Sequence, residues 1–260
     1  RQMLARCDAL DGLADGVVQD TVACQKAFDL QRDVPTCSTA RDGSCLSADQ
    51  KQVLTRIFSG QRGNAGGPAY APFPLDPGIV GSDWASWKFV SSITNRDPVA
   101  VAFVFQTPPA APEAAKDPRA FAMGFDLVRD GAKIFASDAT YTEAAMSFMP
   151  PPASDLAALR QRGGKLMVYH GVADGVFSAL DTAAWYQGLQ QAHAQKTNAQ
   201  NAADFARLYL VPGMNHCRGG TATDQFDMLP ALVTWVEQGV APDRVVAQAR
   251  GAGNAVPNTE

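Results

Sequence analysis

The 260-residue sequence predicts an α/β protein made of two unlike parts. Three observations carry that reading. From about residue 151, apolar runs of strand length alternate with amphipathic stretches of helix length, the rhythm of parallel strands joined by crossover helices. The loops that follow two of those runs hold Asp174 and His216, where an α/β sheet presents functional side chains. Residues 1–150, by contrast, are dominated by glycine, proline and short aromatic clusters, with few sustained periodic runs.

In the first part, one helix is well signalled. It starts at Ser47, where Ser47-Ala-Asp-Gln50 has the capping-box pattern, and Val53, Leu54, Ile57 and Phe58 form its apolar stripe. Residues 60–77 read as loop. Trp84, Trp87 and Phe89 follow, then an apolar run over 99–105 that Thr107-Pro-Pro109 stops. A linker at 108–118 precedes apolar stretches at 133–136 and 141–149, and Pro150-Pro-Pro152 marks the boundary between the parts. In the second part a short helix over 154–162 ends at Gly163-Gly164. Residues 165–169 form a buried strand, and Ser178 opens a helix to about Ala194 with Asp181 at its capping position. Residues 205–211 form a second strand. A last helix starts at Thr223, carries Phe226, Leu229, Leu232, Val233 and Val236 on one face, and ends at Gly239.

A net charge of −4 gives no electrostatic reason to expect nucleic acid or an anionic membrane as partner. No apolar run approaches the roughly 18 residues that cross a bilayer. The first residues lack the apolar core of a signal peptide, so any export signal would lie upstream or have been removed. Compartment must then be read from cysteines. Cys7, Cys24, Cys37 and Cys45 form two local pairs by spacing, each bounding a short polar loop that a disulfide readily closes in an oxidising compartment; free thiols are the other reading. No zinc-ligand spacing is present. Cys217 is left over, and an odd cysteine in an exported protein implies a partner elsewhere.

Candidate chemistry centres on Val211-Pro-Gly-Met-Asn-His-Cys-Arg-Gly-Gly220 and Tyr169-His-Gly-Val-Ala-Asp-Gly-Val-Phe177. His216 on a glycine-flanked loop can act as a general base, and Asp174 on a neighbouring strand-end loop can orient it. The order Asp then His fits the back half of a Ser…Asp…His series, yet no G-x-S-x-G elbow occurs. The plain alternative is a loop histidine satisfied by a carbonyl. His170 either lines a pocket or caps its strand, and His193, in a polar helix end, reads as solvated. Asp8, Asp11 and Asp15 crowd one turn-rich loop, which is either a solvated acidic turn or a set of hard oxygen ligands for Ca²⁺. Trp84, Trp87 and Phe89 are either core or a grip on a planar substrate. Asp224 and Asp227 read as first-turn acids of the last helix, favoured there by its dipole.

Three motifs together, Cys7-Asp-Ala-Leu-Asp-Gly-Leu-Ala-Asp-Gly16, Gly163-Gly-Lys-Leu-Met-Val-Tyr-His-Gly171 with Asp174, and Pro212-Gly-Met-Asn-His-Cys217, resemble the tannase and feruloyl esterase family, which includes a bacterial terephthalate half-ester hydrolase. The resemblance covers almost the whole chain. It implies an α/β-hydrolase core with a large, loop-rich lid insertion: residues 1–150 as lid, and 151–260 as the C-terminal part of the catalytic domain. It implies a secreted or periplasmic serine carboxylesterase for feruloyl- or galloyl-type aromatic esters. Asp174 and His216 would be acid and base of the triad; Trp87 would contact the substrate ring, with Phe177 and His170 in the pocket. Asp8, Asp11 and Asp15, with the carbonyls of Leu13 and Val17, would hold a structural Ca²⁺. Cys7–Cys24 and Cys37–Cys45 would be lid disulfides. Cys217 would bond a cysteine next to the nucleophilic serine, and both belong to an N-terminal part of the hydrolase expected before Arg1. A C-terminal segment is likewise expected beyond Glu260. The arginine that grips a terephthalate carboxylate has no convincing counterpart here, with Arg96 merely nearby, so a terephthalate half-ester is not the first substrate expected. Two rivals stand beside this reading: a non-catalytic, calcium-stabilised binding module for phenolics or a partner protein, and another hydrolase activity such as amide cleavage.

Overall fold

In the computed structural model, residues 1–39, 43–62, 68–148, 156–197 and 202–250 are described. The expected boundary at Pro150-Pro-Pro152 and the start of the helix expected at 154 lie outside them.

The second part is built on two strands. β3 (Leu166–Gly171) and β4 (Ala206–Val211) pair in parallel, in register from Leu166 opposite Ala206 to Gly171 opposite Val211. A parallel pair needs a crossover, and the helix Ala179–Thr197 supplies it. That helix is longer than expected, and its first turn is held where Ser178 Oγ accepts the Leu180 N–H. His193, near its end, is buried, with its ring 5.4 Å from that of Phe205. The solvated reading of His193 is therefore corrected: residues 202–205 fold back over the helix end. Leu189, Ala202, Phe205 and Ala206 form the local core.

The last helix runs Leu229–Gln238, with Pro230 in its first turn and Gly239 in the left-handed conformation closing it. It begins six residues later than the start expected at Thr223. Asp224 explains the delay. Its carboxylate accepts the Gly219 N–H and the Arg250 Nε–H at 2.7 Å, holding residues 219–225 in a turn before the helix. Asp227 does serve the helix, accepting the Leu229 N–H at 2.9 Å.

The first part has only one strand pair, the short antiparallel β1 (Gln61–Arg62) and β2 (Pro68–Tyr70), among its described residues. Helices fill the rest. Ala48–Phe58 carries the expected capping box between Ser47 and Gln50. The apolar run at 99–105 lies mostly in the helix Arg96–Phe103. Two clusters make the core here: Cys7, Val18, Cys24 and Phe28, and then Phe58, Phe73 and Trp84. Leu75 packs against both. Cys7–Cys24 and Cys37–Cys45 are disulfides, while Cys217 is free and exposed. Among the described residues no helix is long and apolar enough to cross a membrane.

Candidate active site

The loops after β3 and β4 are laced together by their backbones. Val172 N–H donates to Val211 O, and Ala173 N–H donates to Met214 O at 3.0 Å. The loop after β4 is a tight hairpin in which Met214 bridges Gly220 and Asn215 N–H reaches Gly219 O. Its turns need left-handed backbone at Gly213, Cys217, Gly219 and Gly220. Gly213 is sterically obligatory, because a Cβ there would sit 2.0 Å from Thr221 O.

This lacing brings His216 Nδ1 to 2.9 Å from Asp174 Oδ2. The carboxylate can only accept, so Nδ1 carries the proton, which in the neutral ring leaves the lone pair on Nε2. Asp174 is buried, and its Oδ1 accepts the N–H groups of Val176 at 2.7 Å and Phe177 at 3.0 Å. Burial raises the Asp174 carboxyl, but hydrogen bonds from His170, His216 and those two amides hold it below the ordinary carboxylate range. An ionised, oriented acid beside an imidazole is the arrangement that stabilises an imidazolium.

The structure also places the other expected residues. Trp87 sits in a π-helical turn, Ser86–Ser91, with its ring edge-on to His216 at 5.3 Å between centroids. Phe177 is exposed and tilted against the same imidazole at 5.7 Å. His170 does not stand free: Nδ1 is 2.8 Å from Thr182 Oγ1, and Nε2 lies 3.2 Å from Phe177 O and 3.4 Å from Asp174 Oδ2. The tryptophans thus divide. Trp84 is core, stacked on Phe58 at 5.5 Å, whereas Trp87 faces the imidazole. Arg96 lies with its guanidinium carbon 5.3 Å from the Trp87 ring centroid; it pairs with Asp97, and its Nη1 is buried without a hydrogen-bond partner.

The acidic loop lies apart from this site. Asp8 Oδ1 accepts the Gly16 N–H, Asp11 accepts those of Leu13 and Gln19, and Asp15 Oδ1 accepts that of Val17. The carboxylates therefore shape the loop from within. Among the described residues no three acidic, histidine or cysteine side chains form a group able to hold a metal in this arrangement.

An acid–imidazole pair on adjacent strand-end loops of a parallel sheet defines the class: an α/β hydrolase fold, present here over part of its length. The chain belongs to the tannase and feruloyl esterase family, whose model matches residues 1–259. It is 41% identical over 268 residues to the mono(2-hydroxyethyl) terephthalate hydrolase of Piscinibacter sakaiensis, covering 94% of this chain and 43% of that protein. It is 26% identical to feruloyl esterase C of Talaromyces stipitatus, covering 97% of this chain and 46% of that one. Among solved structures, feruloyl esterase B from Aspergillus oryzae superposes with a TM-score of 0.65 at 23% identity, over 98% of this chain and 49% of that one. The chain thus spans less than half the length of the curated relatives it matches.

Proposed function

We propose that residues 1–260 supply the acid, the base and the lid of a serine carboxylesterase acting on feruloyl- or galloyl-type aromatic esters. The observation that carries this reading is the 2.9 Å His216–Asp174 bond with Trp87 and Phe177 packed against the same imidazole. A serine outside these residues attacks the ester carbonyl, and His216 Nε2 takes its proton. The tetrahedral intermediate collapses to an acyl-serine, and His216 returns the proton to the departing alcohol oxygen. Water then attacks the acyl-serine with His216 again as base, releasing the aromatic acid and the free serine. Asp174 keeps His216 in the Nδ1–H tautomer and stabilises its cation throughout. Trp87 and Phe177 offer ring faces to the planar acyl group.

The test is an assay with methyl ferulate. The 260-residue chain alone is expected to be inactive, and a protein that also includes the serine-bearing part is expected to turn over and to lose activity on His216→Ala. Robust hydrolysis by the isolated chain, abolished by that substitution, would overturn the assignment of the nucleophile. Inactivity of both forms would favour a phenolic-binding module. Intact masses with and without reductant report whether Cys217 carries a second polypeptide.

A second reading concerns the acyl group. The buried, unpartnered Nη1 of Arg96 beside Trp87 favours an aromatic ester bearing a free carboxylate, as in the terephthalate half-ester for which the 41% identical relative is named. Arg96→Gln would then lower kcat/KM for a terephthalate half-ester far more than for methyl ferulate.

Structural Ca²⁺ on the Asp8, Asp11 and Asp15 carboxylates with the Leu13 and Val17 carbonyls is part of the proposal. It is supported by the hard-oxygen donor set on a loop stapled by Cys7–Cys24. The ion would stiffen the lid, so melting temperature should rise with Ca²⁺, fall with chelator, and stop responding in Asp11→Asn. Secretion or periplasmic export is proposed on the two disulfides.

A further inference from the structure

Asp76 is a carboxylate with almost no access to solvent, 2% exposed, in a segment remote in sequence from the site. It precedes the short turn Pro77–Val80, and its Oδ1 accepts the Gly78 N–H at 2.7 Å. That is ordinary local capping. Its other oxygen does something different. Oδ2 accepts the N–H of Gly213 at 3.3 Å, three residues before His216. Gly78 seats the same segment against both catalytic loops. A Cβ at Gly78 would lie 2.5 Å from Gly213 O and 2.6 Å from the Ala173 side chain, so the backbones meet with no room between them.

A buried carboxylate is an expensive way to hold a turn. Burial pushes Asp76 up to about 6 against the pull of its two N–H bonds. An apolar residue of the same shape would pack there without the desolvation cost. What such a residue lacks is an acceptor for Gly213 N–H. That donor sits on a left-handed glycine packed so closely against the Thr221 backbone that no other residue fits there.

We propose that Asp76 is a positioning residue for the catalytic base: its carboxylate fixes the Pro212–His216 loop from the lid side and so sets the His216–Asp174 distance. The inference rests on His216 being the base, as proposed above. It assigns to the lid a role besides substrate contact, which is to hold the base in place.

The test needs no turnover, and so separates this idea from the esterase reading. In the ¹⁵N-labelled chain, the hydrogen-bonded Nδ1–H of His216 gives a low-field proton resonance, assigned by its loss in His216→Ala. Asp76→Asn, which keeps shape and one acceptor, and Asp76→Leu, which keeps only shape, are compared with the wild type at pH 7. Loss or an upfield shift of the resonance is expected in both, larger in Asp76→Leu, with the melting temperature of Asp76→Asn equal to or above wild type. A merely structural residue would give the opposite pattern, a lowered melting temperature with the resonance unmoved in the folded fraction. That pattern, or unfolding of both variants, overturns the proposal. In the assembled esterase the same variants should lower kcat and leave KM close to wild type; if no esterase activity exists at all, the resonance still decides the positioning role.

Discussion

Asp174 combines burial, which raises its carboxyl, with four hydrogen bonds that more than compensate, so it is held as a carboxylate below the ordinary range. A depressed native value means that its contribution to stability is complete above the ordinary carboxylate pKa and is lost as pH falls through the native one. Asp174→Asn should keep the fold at pH 7 yet lower kcat by about 10⁴, because an amide facing Nδ1 favours the wrong tautomer; steady-state rates on methyl ferulate measure it. Asp76 has the opposite sign. Its native value is raised to about 6, so the folded state holds the proton more tightly and loses stability as pH rises toward and through that value. Relative to wild type, Asp76→Asn should therefore gain about 2 kcal/mol of stability between pH 4.5 and 7.5, read from urea melts. Asp174 and His216 were legible in the sequence because each follows an apolar strand run in a glycine-flanked loop. Asp76 was not. A carboxylate in Pro74-Leu-Asp-Pro77 looks like any turn residue, and nothing local shows that its second oxygen reaches a backbone amide 137 residues away.

At the scale of elements, apolar pattern reveals the parallel pair and its crossover helix, because β3 follows Gly163-Gly164 and β4, broken only by Arg207, stops at Pro212. Periodicity places the start of the last helix too early, since Phe226 falls on the apolar face of the extrapolated helix while Asp224 holds its own segment in the turn. Periodicity cannot detect that competition, which depends on Arg250 returning from further along the chain. Trp84 and Trp87 posed a related problem: three residues apart, one stacks in the core and the other faces His216. The close approach of the Pro77–Val80 turn to the loops of Asp174 and His216 is testable. Gly78→Ala must displace Gly213 or Ala173 by enough to relieve contacts of 2.5 and 2.6 Å. Overpacking of that kind typically costs about 1–3 kcal/mol. The melting temperature should fall accordingly, and kcat should fall further than the folded fraction explains, because both loops move. An unchanged kcat per folded molecule would show that the turn merely fills space.

Across the whole molecule, a continuous path runs from the first disulfide to the His216 loop. Cys7 and Cys24 are fully buried in a cluster with Val18 and Phe28. Gln25, the next residue, clamps Leu75 with its amide, donating to Leu75 O at 3.0 Å and accepting the Leu75 N–H at 2.8 Å. Leu75 packs on two core clusters and is followed directly by Asp76, which holds Gly213. Cys37–Cys45 lies off this path; it closes a loop of separation 8, against 17 for Cys7–Cys24. Loop closure alone makes the two comparable, about 3 kcal/mol each, since the entropy varies only with the logarithm of loop length. The path makes them unequal. Replacing Cys7 and Cys24 with alanine removes core volume as well as the crosslink, so its cost should exceed that of the Cys37/Cys45 double variant. It should also release the Gln25–Leu75 clamp and shift the His216 Nδ1–H resonance, which the other double variant should leave in place. Thermal melts and proton spectra of the two variants at matched folded fraction separate these effects. Equal shifts of the His216 signal in both would mean that the disulfides act only through global stability and that no path joins the first one to the base.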